Sequence, residues 1–155
     1  MAGVEGTAIL EVGEAVRLAV APVFLLSGVG VTLTLLTNRL ARVVDRARAL
    51  EATEGQTPDK ELHELKDRVF VLALRARLLS RAIALCTLCA LLVSMVVVAL
   101  FVAALMGTRL ATVISVLFIV AMFNFIGGLL FFLREIFLAT RTLRIGLREA
   151  RRSRS

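Results

Sequence analysis

The sequence predicts an all-α membrane protein, in which three transmembrane helices carry helical cytoplasmic extensions that form a heptad-patterned bundle. Three observations predict it. Of the 155 residues, 59% are hydrophobic and the mean hydropathy is +0.89, against roughly 45–50% apolar residues in soluble domains. The apolar residues are gathered in three long uncharged blocks instead of recurring at the period of a surface helix or strand. The 19 basic residues flank those blocks on one side almost exclusively. All nine aromatic residues are Phe, so arginines stand in for the Trp and Tyr rings that usually mark the two interfaces.

The first block, residues 18–38, holds 21 uncharged residues between Arg17 and Arg39. About 20 residues at 1.5 Å each cross the roughly 30 Å of hydrocarbon. The second block lies between Arg81 and Arg109 and the third between Arg109 and Arg134, with 27 and 24 uncharged residues. The spans are therefore about 18–38, 82–106 and 110–133. Only Gly107-Thr108-Arg109 separates the last two, which predicts a tight turn and antiparallel neighbours. The chain, 1–155, reads as a single membrane domain.

Charge fixes the orientation. One basic residue precedes the first span, ten lie in residues 39–81, one sits in the 107–109 turn and seven follow residue 133. Lys and Arg are retained on the cytoplasmic side, so the segment 39–81 and the tail 134–155 are expected in the cytoplasm and the N-terminus outside. Glu5, Glu11 and Glu14 against Arg17 give the N-terminal segment the wrong sign for a cleaved leader, so the first span is expected to be retained. The net charge of +7 is thus explained by topology. No aromatic stacking platform accompanies it, and nucleic acid is not an expected partner. Anionic lipid heads are, because Arg clusters just inside a span attract them by about 1 kcal/mol each.

Below the first span, RLARVVDRARALEA consists of strong helix formers, with Leu36, Leu40, Val43, Ala47 and Leu50 spaced by four and three. Gly55 is the expected stop, with Thr57 as N-cap and Pro58 in the first turn of the next helix. That helix carries a seam through Leu62, Leu65, Val69, Leu72, Ala76, Leu79 and Ile83 into the second span, making 39–81 a cytoplasmic helical hairpin. The same spacing returns at Leu133, Ile136, Thr140, Leu143 and Leu147. Packing within one chain and packing between copies both use such seams.

At 100° per residue, Ser27, Thr34, Asn38 and Asp45 align along one face of the first helix, opposite the Leu36 to Leu50 seam. Polar side chains in hydrocarbon seek partners or water, and two uses fit this face. It is glue between helices, with Gly28 and Gly30 allowing close approach and Thr87, Ser94, Asn124 and Gly128 as matching contacts on the other spans. Alternatively, in an assembly of several copies it lines a pore, with Arg42 and Asp45 as charged rings at the inner mouth.

Other chemistry-bearing residues have plainer readings. Cys86-x-x-Cys89 lies inside a span without a second pair to complete a metal site, and reads as packing. His63 reads as part of a solvated face. No phosphate loop, nucleophile elbow or zincin motif occurs, so neither catalysis nor a cofactor is expected. Glu135 stands at the inner edge of the third span with no base three or four residues on, which predicts an ion pair with Arg39 or Arg81 from another helix. Asp45 can pair locally with Arg42 and Arg48.

The run Asn38, Arg39, Leu40, Arg42, Asp45, Arg46, Arg48 and Leu50, with the flanking segments from residue 18 to about 145, resembles a family of small bacterial inner-membrane proteins catalogued as domain of unknown function 2721. The resemblance implies three membrane helices in a bacterial setting and supplies no activity, ligand or catalytic residue. The reading is a non-enzymatic inner-membrane protein that self-associates, acting as a scaffold or adaptor or, alternatively, as a homo-oligomeric channel for an ion or small solute.

Overall fold

The computed structural model describes residues 2–54, 59–106 and 110–152. They form three α-helices: α1, Ala2–Glu54; α2, Asp59–Met106; and α3, Ala111–Arg152. No strand occurs among the described residues. With 53, 48 and 42 residues, each helix is more than twice the about 20 residues that cross hydrocarbon. Each contains a segment long and apolar enough to span a membrane, Val12–Ala52, Val69–Met106 and Ala111–Ala139. The protein is all-α, as its composition predicts, and its spans continue as helix beyond their charged ends.

Continuity follows from the residues at those ends. Past Asn38, α1 meets no Pro or Gly before Glu54, and Arg, Ala and Leu dominate, all favourable in a helix interior. Pro22 lies within α1 and is buried. Its ring removes one backbone donor, which bends or weakens a helix locally without ending it when neighbouring helices support the turn. The expected stop at Gly55 with Thr57 and Pro58, and the turn at 107–109, lie outside the described residues. So do the side chains of Leu62, Leu65 and His63 and those from Thr140 onward.

The chain divides into two compact units, each built from a stretch of all three helices: Met1–Leu33 with Leu85–Gly127, and Thr34–Ala84 with Gly128–Ser155. The first buries Ala15, Ala19 and Val29 of α1, Cys86, Cys89, Val93 and Val96 of α2, and Ala121 of α3. These side chains are small because lipid tails are as apolar as any side chain, so helices in hydrocarbon gain from close contact instead of from leaving water. Gly127 shows how close: a Cβ there would lie 3.3 Å from Leu85 Cδ1. A mainly apolar cavity of about 730 Å³ opens in this unit, with Pro22, Leu100, Ile114 and Phe118 among its walls and Glu14 as its acid.

The second unit buries Leu36 and Val43 of α1, Leu78, Leu79 and Ala82 of α2, and, on α3, Gly128 and Glu135. The expected α1 seam is present in part, with Leu36 and Val43 buried and Leu40, Ala47 and Leu50 half-buried. On α2 the buried line departs from expectation after Leu79. It follows Ala82, Cys86, Cys89, Val93 and Val96, while Thr87 and Ser94 are exposed. The line steps by three and four but has turned by one position, because small apolar groups fit the packed side and hydroxyls do not need it. On α3 Leu133, expected in a seam, is exposed. The buried positions there are Ala121, Gly128 and Glu135, seven apart.

Candidate functional site

Glu135 follows two buried small residues on the heptad line of α3, so the same spacing that hides Ala121 and Gly128 hides a carboxylate. It is 1% exposed and is the buried charged residue among those described. An unpaired carboxylate in that position would be strongly disfavoured. Two arginines compensate it. Arg75 of α2 donates from Nε at 3.1 Å and from Nη2 at 2.7 Å, both to Oε1. Arg39 of α1 donates from Nη1 to Oε2 at 3.4 Å. One acid therefore ties the three helices of this unit together.

The two arginines are held differently. Arg75 occupies the buried line of α2, four residues before Leu79, and its side chain is 19% exposed. Arg39 is 38% exposed, makes one long contact, and lies over the ring of Phe132 at 5.1 Å from its centroid, within cation–π range. Charge-assisted bonds of the Arg75 kind are about twice as strong as neutral ones. Arg75 is the principal partner and Arg39 the secondary one.

Beside the lock is a cavity of about 210 Å³ lined by Arg39, Arg42, Val43, Arg46, Arg75 and Glu135. Arg39, Arg42 and Arg46 fall on one stripe of α1 because steps of three and four keep residues on one helix face. Arg42 donates from Nε to the carbonyl of Asn38 at 3.3 Å. Among the described residues no ion pair joins Asp45 to Arg42 or Arg48, in contrast to the local pairing that their spacing allows. Asp45 is exposed.

Of the residues singled out by the sequence, Glu135 and Arg39 are brought together, while Arg81 is exposed and the principal partner is Arg75 instead. Arg81 lies six positions after Arg75, about 120° round the helix, so the two point to different sides of α2. The buried line read backward through Cys86, Ala82 and Leu79 reaches Arg75, and that was the available signal. Ser27, Thr34, Asn38 and Arg42 are all exposed on α1, as are Gly28 and Gly30, where an added Cβ would meet nothing within 4 Å. Ser27, Ser94 and Asn124 donate to the carbonyls of Val23, Ala90 and Val120, four residues back on their own helices. Such bonds satisfy a polar group without a second helix. Gly128 is buried and Thr87 exposed.

No curated protein and no solved structure matches the chain. A match does exist at the level of a family model, over residues 19–145. That stretch contains all three membrane-compatible segments in large part and every member of the Arg39, Arg75 and Glu135 lock. On this ground the chain belongs to the family described as Protein of unknown function (DUF2721).

Proposed function

We propose that the protein is a non-enzymatic, multi-pass protein of the bacterial inner membrane that associates with further copies of itself and acts as a scaffold. Its N-terminus faces outward and residues 39–81 and 134–155 face the cytoplasm, following the basic residues. The observation that carries the self-association is the exposed face of α1. Ser27, Gly28, Gly30, Val31, Thr34 and Asn38 are exposed, whereas Val29 and Leu36 are fully buried. A glycine-containing face with hydroxyls, lying within a segment of membrane-spanning composition, is of the kind that joins helices in bilayers.

Disulfide cross-linking in native membranes tests this reading. A cysteine at Gly28 is expected to give a covalent dimer on mild oxidation, and one at the buried Val29 is not. The parent chain, whose Cys86 and Cys89 are buried, supplies the baseline. Equal cross-linking from both positions, or none from Gly28, would count against the assembly.

A channel is the second reading, favoured by the exposure of Ser27, Thr34, Asn38, Arg42 and Asp45 along one face. It requires several copies around an axis. It predicts that Asn38→Ala or Thr34→Val changes ion flux in liposomes while the oligomer persists. A scaffold shows no flux in either form.

A further inference from the structure

We propose that the cavity beside Glu135 is a binding site for a phosphate group, formed by Arg39, Arg42 and Arg46 of α1 and held in shape by Arg75. This goes beyond the self-association reading and does not depend on it.

Four guanidiniums and one carboxylate line the cavity of about 210 Å³, leaving three positive charges in excess. The carboxylate would repel an anion if it were unengaged, but Glu135 is 1% exposed and receives two bonds from Arg75. Arg75 thus satisfies Oε1 of the buried acid, and Oε2 is left to Arg39. Arg39 gives Glu135 only Nη1, at 3.4 Å to Oε2, while its guanidinium lies over Phe132, so its remaining donors can meet an anion while that contact is kept. Arg42 and Arg46 are exposed, and neither is ion-paired among the described residues. The planar forks of guanidinium groups match phosphate oxygens in pairs, which favours phosphate over a spherical anion. Val43 forms the apolar side of the cavity.

The sequence position points the same way. Arg39 is the first charged residue after the uncharged stretch 18–38, and Glu135 is the second after 110–133. Residues at such an edge meet the phosphates of lipid headgroups. A phospholipid headgroup and a free phosphate present the same chemistry, and the test separates them.

The full-length protein is placed in nanodiscs of phosphatidylcholine containing phosphatidylglycerol, and retained lipid is measured by native mass spectrometry. The wild type is compared with Arg42→Gln/Arg46→Gln, with each single substitution, and with Arg48→Gln/Arg77→Gln, which removes two exposed arginines outside the cavity. In a second arm, thermal unfolding is followed with inorganic phosphate against chloride at equal ionic strength. The double cavity variant is expected to lose roughly tenfold to thirtyfold in affinity for the phosphate-bearing probe, as two cations near an anionic surface imply. Each single variant loses part of this, and the Arg48/Arg77 variant loses several-fold less. Loss of lipid retention without a phosphate response identifies a headgroup as the source, and a phosphate-dependent rise in unfolding temperature confined to the wild type and the Arg48/Arg77 variant identifies free phosphate. Equal behaviour of wild type and double cavity variant in both arms would overturn the site. So would an equal loss from Arg48→Gln/Arg77→Gln, because diffuse charge would then account for binding.

Discussion

The two units of the chain use the same three helices and hold them together by different means. In Met1–Leu33 with Leu85–Gly127, the core is made of Ala, Val and Cys, and Ser27, Thr32, Ser94 and Asn124 bond back to their own helices. In Thr34–Ala84 with Gly128–Ser155, the interior holds the larger Leu36, Leu78 and Leu79 together with a buried Glu135 paired to two partly exposed arginines. The contrast follows from the surroundings each sequence implies. Within hydrocarbon, burial against a neighbour brings no gain over burial in lipid, so shape and close approach decide. At the polar edge a charge can be desolvated if its partner is fixed in place. One consequence is that the second unit should respond strongly to loss of a single charge, and the first to changes of volume.

The largest expected effect is therefore at the lock. Glu135→Gln leaves Arg75 mostly buried without its acid, and Arg75→Gln leaves Glu135 with one long contact. Each should lower unfolding stability in nanodiscs by about 3 kcal/mol, the low end of what breaking a buried pair costs, since Arg75 keeps some exposure. Replacing the pair by Glu135→Leu with Arg75→Met is expected to recover most of the loss, because apolar substitutes avoid desolvation altogether. If it recovers none, the ion pair itself, and not merely the avoidance of a stranded charge, stabilises the unit.

Next comes volume in the first unit. Ala121→Leu forces a large side chain onto a fully buried position of α3 and should cost about 1–3 kcal/mol. Gly127→Ala is milder, because the atom in its way at 3.3 Å is the end of the Leu85 side chain. A loss under about 1 kcal/mol is expected from thermal unfolding. The smallest effect on the fold belongs to Gly28→Ala, where an added Cβ meets nothing within 4 Å. Unfolding stability of the separated chain should stay within about 0.5 kcal/mol of the parent, while cross-linking between copies weakens. Those two readouts separate folding of one chain from association of several.

Much of the architecture was legible in the sequence. Three uncharged stretches bounded by arginines announce three long helices, and the strong helix formers after Asn38 announce that α1 continues. Glu135 could be recognised as needing a partner from another helix because its own helix offers none at the right spacing. Its main partner was hidden because the α2 stripe can be traced in two ways that diverge after Leu79. The route through Ile83, Thr87 and Ser94 runs back through Leu79 to Ala76 and Leu72 and meets no base, so Arg81 stands out only by its depth at the edge of the span, whereas the route through Ala82, Cys86 and Cys89 leads back to Arg75. Periodicity alone does not choose between stripes one residue apart, since both step by three and four. Packing chooses, and it selects the smaller and less polar set. Likewise Gly28 and Gly30 read as contact residues from composition, but which side of α1 meets α2 and α3 depends on Val29 and Leu36 filling the interior.

Glu135 and Arg75 act as one unit that clasps the helices. A double-mutant cycle on Glu135→Gln and Arg75→Gln, with unfolding measured in nanodiscs, tests it most directly. The double variant is expected to lose little more than either single one, giving a coupling of about 2 kcal/mol or more. Losses that add to within about 0.5 kcal/mol would show that the two residues act independently and would contradict it.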